Sequence, residues 1–417
     1  MARPITLIAA LAGLLPAIAL AQLLPGGQPI GRVVPGLIDD LGSRLGVDDL
    51  QQLSPARIAD RLLSLRADRI IALLRTNRAN VAADDRGDPA VRDTVLVTGA
   101  DDTMRAALTG AGYAVADERI DGLDLSVLRV TVPEDQALAG AIRRIRKLAA
   151  GAQVAGDTLY FASGPAPAVT QGTALAEGTA GSGRIAGLID GGVARHPSLT
   201  GAVEQRGFAR GAPLPSGHGT AVASLIAGNG AIKGAAPGTP LLVADVYGAD
   251  PAGGSALAIA RALGWMVSRR VPVVTVSLVG PDNPLLSGAI GVARARGTTV
   301  VAAVGNDGPA APPAFPASYP AVVAVTGVDR RDRILVEAGR ARHLDFAAPG
   351  ADMMAASSNG GTAQVRGTSF AAPLVAGRLM VAGGIDALAR QARDLGARGQ
   401  DKVYGRGLVC GTCRNTH

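Results

Sequence analysis

The chain has 417 residues, of which 48% are hydrophobic and only 3% aromatic, and it carries a formal charge of +7 with two cysteines. That length holds about two to three domains with sizeable cores, and beyond the N-terminus the apolar runs are short and broken by glycine, so none spans a membrane. The basic balance would ordinarily raise nucleic acid as a partner, but the positive charges are scattered with little aromatic interleaving, and that class is set aside.

Residues 1–21 read as a secretory signal: Arg3 supplies positive charge, an apolar stretch covers 5–18, and Ala19, Leu20 and Ala21 form an A-x-A cleavage box, so that a mature chain would begin at Gln22. The competing reading, an uncleaved anchor over 5–24, is disfavoured by Pro16 and the small-residue box. Residues 22–90 open with Gly and Pro, then show helical apolar spacing through Leu62, Leu65, Leu73 and Leu74, to which no function attaches. Residues 91–161 give strand (95–97), helix (103–111), strands (113–116 and 125–132), helix (134–150) and strand (158–161), the βαββαβ order of a ferredoxin-like split unit. On its second helix the apolar stripe Leu138, Ile142, Ile145 and Leu148 lies opposite a basic cluster, Arg143 to Lys147. Residues 162–182, rich in Ala, Gly, Thr and Pro, read as an exposed linker.

Over residues 183–409, apolar strands at 185–189, 241–246, 273–278, 300–304 and 322–325 alternate with glycine-bounded helical stretches. That pattern argues an α/β domain of three layers, a parallel sheet covered by helices on both faces. Chemistry-bearing residues sit at the ends of these elements. RIAGLIDGG delivers Asp190 from a buried strand into a glycine turn, and HGTAVASLIAG opens an apolar helix with His218. VVAAVGNDG ends a strand on Asn306, and GTSFAAP mounts Ser369 between small residues at a helix start, with Pro373 in the first turn. Each alone has a bland reading, a turn carboxylate or a surface imidazole; a carboxylate, a base, an amide donor and a hydroxyl together suit nucleophilic catalysis.

In the chain order Asp190, His218, Asn306, Ser369, the segments resemble the subtilisin-type serine proteases, and the resemblance extends over GAAPG (234–238), SLVGP (277–281), FAAPG (346–350) and YGRGL near the C-terminus. It implies an Asp-His-Ser triad of Asp190, His218 and Ser369, with Asn306 and the Ser369 amide as the oxyanion hole. It likewise implies that 91–161 is a propeptide-like domain, making the protein a zymogen whose pro-region inhibits in cis and is cut within 162–182. A secreted or periplasmic endopeptidase acting on protein or peptide substrates follows, monomeric and without a stable membrane anchor. The family's edges for an extended substrate fall on the segment Asp250 to Gly254, with Ala252 and Gly253 at its centre, and on Ser277, Leu278, Val279 and Gly280, and its pocket floor on Ala303, Val304 and Gly305. Three departures stand out: Gly191 where Thr or Ser usually follows the aspartate, suggesting a looser turn; Ala221 for a second histidine; and Thr275 for an asparagine. Val279 replaces a small residue, and either narrows the primary pocket or points into the core.

Cys410 and Cys413, in the tail 410–417, suit a disulfide in an exported protein; a thioredoxin-like context and further zinc ligands are both lacking. No cofactor is implied, and calcium, a family habit, finds no loop of carboxylates. His196, His343 and His417 are assigned no catalytic part. A related acid-active class is disfavoured, since it places Glu at the position of His218 and Asp at that of Asn306. The remaining alternative is a catalytically silent binding or regulatory protein that keeps the same fold.

Overall fold

A computed structural model describes residues 54–162 and 184–415; the signal, the linker after Ala162 and His417 lie outside the described residues. The chain opens with helix α1 (Pro55–Thr76), which has Pro at its first position, where a missing N–H costs nothing. There follow β1 (Val81–Ala83), β2 (Pro89–Thr98), α2 (Asp102–Gly110), β3 (Ala114–Ile120), β4 (Leu125–Thr131), α3 (Leu138–Leu148) and β5 (Gln153–Thr158). All pairings in this small sheet are antiparallel, in the order β1-β2-β4-β3 with β5 on the other side of β2.

Alternation along β2 gives this sheet two different faces. Val95 and Val97 point to the core shared with α2 and α3, where Leu108, Ile142 and Ile145 are fully buried. Leu96 points the other way, into the core of the larger domain. The sequence placed the last strand at 158–161; it is β5, Gln153–Thr158, which reads poorly because Gly156 and Asp157 interrupt its apolar pattern. The next residues leave the small sheet to form β6 (Phe161–Ala162).

The larger domain carries seven parallel strands, in the sheet order Phe346–Pro349, Val322–Val328, Thr299–Ala303, Val273–Val276, Ala186–Asp190, Leu241–Asp245 and Val203–Gly207. In chain order its elements are β7 (Ala186–Asp190), β8 (Val203–Gly207), α4 (Gly217–Ala227), β9 (Leu241–Asp245), α5 (Ala256–Ser268), β10 (Val273–Val276), β11 (Leu278–Val279), α6 (Pro284–Ala295), β12 (Thr299–Ala303), β13 (Val322–Val328) and β14 (Phe346–Pro349). A hairpin, β15 (Met353–Ala356) with β16 (Thr362–Val365), precedes a short 3-10 turn (Thr368–Phe370), α7 (Ala372–Ala382) and α8 (Ile385–Ala389). Val300 and Ala302 face the core under α5 and α6, whereas Val301 and Ala303 face α4 and α7. The three-layer arrangement expected from the sequence is therefore present.

The small sheet docks on α5 and α6, and Leu96, Ile120, Leu123 and Val127 share their core. Its end also reaches both helix N-termini. The Asp157 carboxylate accepts the Leu257 N–H at 2.9 Å, and Asn283, which caps α6 through the Leu285 N–H, donates Nδ2 to the Gly156 carbonyl at 3.0 Å. Burial pushes the Asp157 pKa up to about 6. At Gly122 and Gly264 the two backbones cross so closely that a Cβ on Gly264 would stand 2.2 Å from the Asp121 oxygen. Gly264→Ala should favour α5 itself, because Ala exceeds Gly in a helix by about 1 kcal/mol. Overpacking at the crossing should nonetheless speed hydrogen exchange around 119–124 by about tenfold to a hundredfold. Unchanged exchange there would mean that the crossing does not hold the domains together.

Candidate active site

Asp190 ends β7 at the C-terminal edge of the parallel sheet, where open α/β sheets place their sites. Both its carboxylate oxygens lie 2.9 Å from His218 Nδ1, and the two side chains are buried. An imidazole so held carries its proton on Nδ1, leaving Nε2 to accept one. His218 is the second residue of α4, whose start is fixed by Ser216: its Oγ accepts the Gly219 N–H, and its carbonyl accepts the Thr220 hydroxyl. Thr220 Oγ1 also accepts the Ala194 N–H, tying the helix to the loop after β7.

Gly191 does not loosen this turn. Its N–H donates to Asp190 Oδ1 at 2.7 Å, and a Cβ there would meet Ser216 Oγ at 2.4 Å, so the aspartate turn is pressed against the cap of the histidine helix. Gly219 completes the approach, since its Cβ would fall 2.3 Å from the Gly191 oxygen. At the other departures, Ala221 and Thr275 are both buried.

Ser369 lies in the 3-10 turn between Gly367, whose φ of 138° is one that side chains avoid, and α7. That turn packs on α4, and the ring of Phe370 stands 5.4 Å from that of His218. The Ser369 carbonyl accepts the Ser277 hydroxyl at 3.0 Å, so a residue expected on the substrate edge also fixes the backbone of Ser369. Asn306 follows Gly305, just beyond β12, and its Oδ1 accepts the Thr368 N–H at 3.0 Å. Only the oxygen of that amide can accept, which assigns its orientation and leaves Nδ2 as the donor end. Thr368 Oγ1 in turn donates to the Gly305 carbonyl.

Between the two expected edges runs the chain's own segment 159–162. Leu159 bridges Ser255, the Tyr160 N–H donates to the Gly254 carbonyl at 2.8 Å, and β6 pairs antiparallel with β11, Phe161 with Val279 and Ala162 with Leu278. Pairing on the first edge thus falls on Gly254, the last residue of the expected segment, and on Ser255 just beyond it, while Ala252 is buried in one cluster with Leu159. On the second edge, Gly280 gives its N–H to the Phe315 carbonyl and its open face to the Tyr160 ring. Val279 points at the floor segment and not into the core, since a Cβ on Gly305 would lie 3.3 Å from its Cγ1. Ala303 and Val304, the other floor residues, are buried.

The sequence with residues 181–383 matches the model of the subtilase family. The chain is 35% identical over 210 residues to subtilisin BL of Lederbergia lenta, a match covering 48% of this chain and 76% of that protein. The chain belongs to the subtilase family. It is also 34% identical over 172 residues to the major intracellular serine protease of Bacillus subtilis, covering 39% of this chain but only about half, 54%, of that relative. Among solved structures, fervidolysin from Fervidobacterium pennivorans aligns with a TM-score of 0.63 at 19% identity, over 78% of this chain and 61% of that one, a likeness of fold.

Several features of this subtilase carried little sequence signal. Asp245, beside Asp190 on the neighbouring strand, accepts N–H groups of Leu214, Tyr247 and Gly248 and so shapes the loops around the aspartate; burial raises its pKa. His196, expected as a plain loop residue, is buried, with Nδ1 accepting the Ser198 N–H and Nε2 donating to the Gly361 carbonyl. Cys410 and Cys413 form a disulfide with Cα atoms 5.1 Å apart. Among the described residues there is no group of three or more His, Cys, Asp or Glu that could hold a metal ion.

Proposed function

We propose that this subtilase is a serine endopeptidase synthesised with its own inhibitor. The observation that carries the reading is the buried Asp190–His218 pair, its Nδ1 proton held between two carboxylate oxygens, set against the turn that bears Ser369. Nε2 of His218 would take the Ser369 proton as Oγ attacks a peptide carbonyl. Asp190 would stabilise the imidazolium without itself becoming protonated. Asn306 Nδ2 and the Ser369 amide would receive the oxyanion, and His218 would return its proton to the leaving amine before water cleaves the acyl-enzyme.

The small domain, with the segment leading into it, would be the pro-region. In support, residues 159–162 already pair with both edges as an extended peptide would, main chain to main chain, with Tyr160 buried against Gly280 and its hydroxyl donating to the Pro281 carbonyl at 2.7 Å. A cut within 162–182 would leave this tail in the cleft. Export rests on Arg3, the apolar run and the A-x-A box; one relative is named an extracellular protease and another an intracellular one. No helix among the described residues is long and apolar enough to cross a membrane.

Intact-mass analysis of the wild type beside Ser369→Ala tests the precursor reading. The wild type should lose its N-terminal region at a rate independent of protein concentration, and the variant should keep it. A full-length yet active wild type would make the small domain a permanent one. Fluorophosphonate labelling decides the silent-scaffold alternative, which predicts no labelled Ser369 even after the N-terminal region has been removed.

A further inference from the structure

Helix α1 presents one stripe to the larger domain. Leu62, Arg66, Arg69 and Leu73 recur at intervals of four, three and four residues, which puts them on a single helical face about 16 Å long. Each meets a part of the candidate cleft. Leu62 is buried against Gly308, where a Cβ would lie 2.7 Å from its Cδ1. Arg66 places Nε 3.3 Å from Asp307 Oδ2, and Arg69 donates to Asp307 Oδ1. Leu73 is buried in a cluster with Leu159 and Ala252, against which Leu74 and Phe161 also pack. Asp307 and Gly308 directly follow Asn306 in the sequence. The helix therefore runs from Gly308, two residues past Asn306, at its Leu62 end to the cluster that holds Leu159 and Phe161 at its Leu73 end.

We propose that the surface formed by Asp307, Gly308 and Ala252 is a docking site for a basic amphipathic helix, occupied in cis by α1, which straps the pro-region tail into the cleft. The proposal rests on the pro-region reading above. The tail alone offers a few main-chain hydrogen bonds and the buried Tyr160 with its hydroxyl on the Pro281 carbonyl, contacts that a peptide substrate could replace one at a time. The strap adds two guanidinium contacts and two buried leucines that a short substrate has no means to displace. After the cut, the tail could leave only once α1 had lifted. Because Arg66, Arg69 and Asp307 keep between a quarter and a third of their side-chain surface in solvent, the ionic part of the strap should weaken as salt rises. Arg66 also lies 4.0 Å from Asp88, so the same side chain links α1 to the small sheet.

The test uses the full chain carrying Arg66→Ala and Arg69→Ala, with Arg61→Ala and Arg75→Ala as a control of equal helix propensity at exposed positions. In a Ser369→Ala background, where no cut can occur, hydrogen exchange over 62–73 should accelerate about tenfold or more in the Arg66/Arg69 variant and stay unchanged in the control. In the chain with Ser369 intact, the lag between the cut and the first hydrolysis of a chromogenic peptide should shorten about tenfold. Salt at 0.5 M should shorten the wild-type lag but not that of the variant. Equal protection in all three chains, or a lag indifferent to both salt and the two arginines, overturns the strap. Absence of any cut in the wild type would instead count against the pro-region reading, and the exchange measurement would still decide whether α1 docks through Asp307.

Discussion

Ser369→Ala is expected to lower peptide hydrolysis by about a millionfold, the magnitude characteristic of this serine in subtilisins and not a number that the geometry itself yields. The substitution removes one oxygen from a fully buried residue, and every contact that fixes its backbone stays: the Ser277 hydroxyl on its carbonyl, Thr368 on Asn306 and Gly305, and α7 beginning at Ala372. Stability should therefore change little, since no apolar packing is lost. The loss should appear in kcat with a peptide ester as well as an amide, because both require the same attack. Substantial turnover of an ester by the purified variant would remove Ser369 from its assigned role. A thermal midpoint several degrees below the wild type would mean that the hydroxyl has a structural part that its surroundings do not suggest.

The candidate site was readable because each of its members sits at the end of an element that announces itself. Asp190 closes an apolar strand, His218 opens an apolar helix, and Asn306 and Ser369 each stand beside a glycine at such a boundary. What escaped is what depends on distant pairing. Strand β8, Val203–Gly207, carries Glu204, Gln205 and Arg206 because it is an edge strand, and the edge needs no continuous apolar run. β5 is hidden by Gly156 and Asp157, yet those residues are there to meet the N-termini of α5 and α6. Gly191 read as a loosened turn because the sequence records a missing side chain and not the Ser216 hydroxyl occupying its space. The stripe of α1 was visible as helical spacing, but its partner Asp307 is 238 residues beyond Arg69, and no local pattern carries that contact.

Asn306→Leu should reduce turnover by about a hundredfold to a thousandfold, the usual consequence of losing one donor to an oxyanion. That substitution alone is ambiguous, because Asn306 has two ends. Its Oδ1 accepts the Thr368 N–H, and leucine would strand that donor next to Ser369, at a cost of about 1–3 kcal/mol if the group finds no other partner. Asn306→Asp separates the two effects. A carboxylate keeps an oxygen for Thr368 but has no hydrogen to give, and its charge repels the developing oxyanion. If the donor end matters, Asn306→Asp should be at least as slow as Asn306→Leu while unfolding at a temperature closer to the wild type. KM should move little in either variant, since the missing interaction forms only as charge develops on the substrate oxygen. Should Asn306→Asp retain wild-type turnover while Asn306→Leu is both slow and unstable, the asparagine would be a brace for the Thr368–Ser369 turn and the oxyanion would have to be held by other groups.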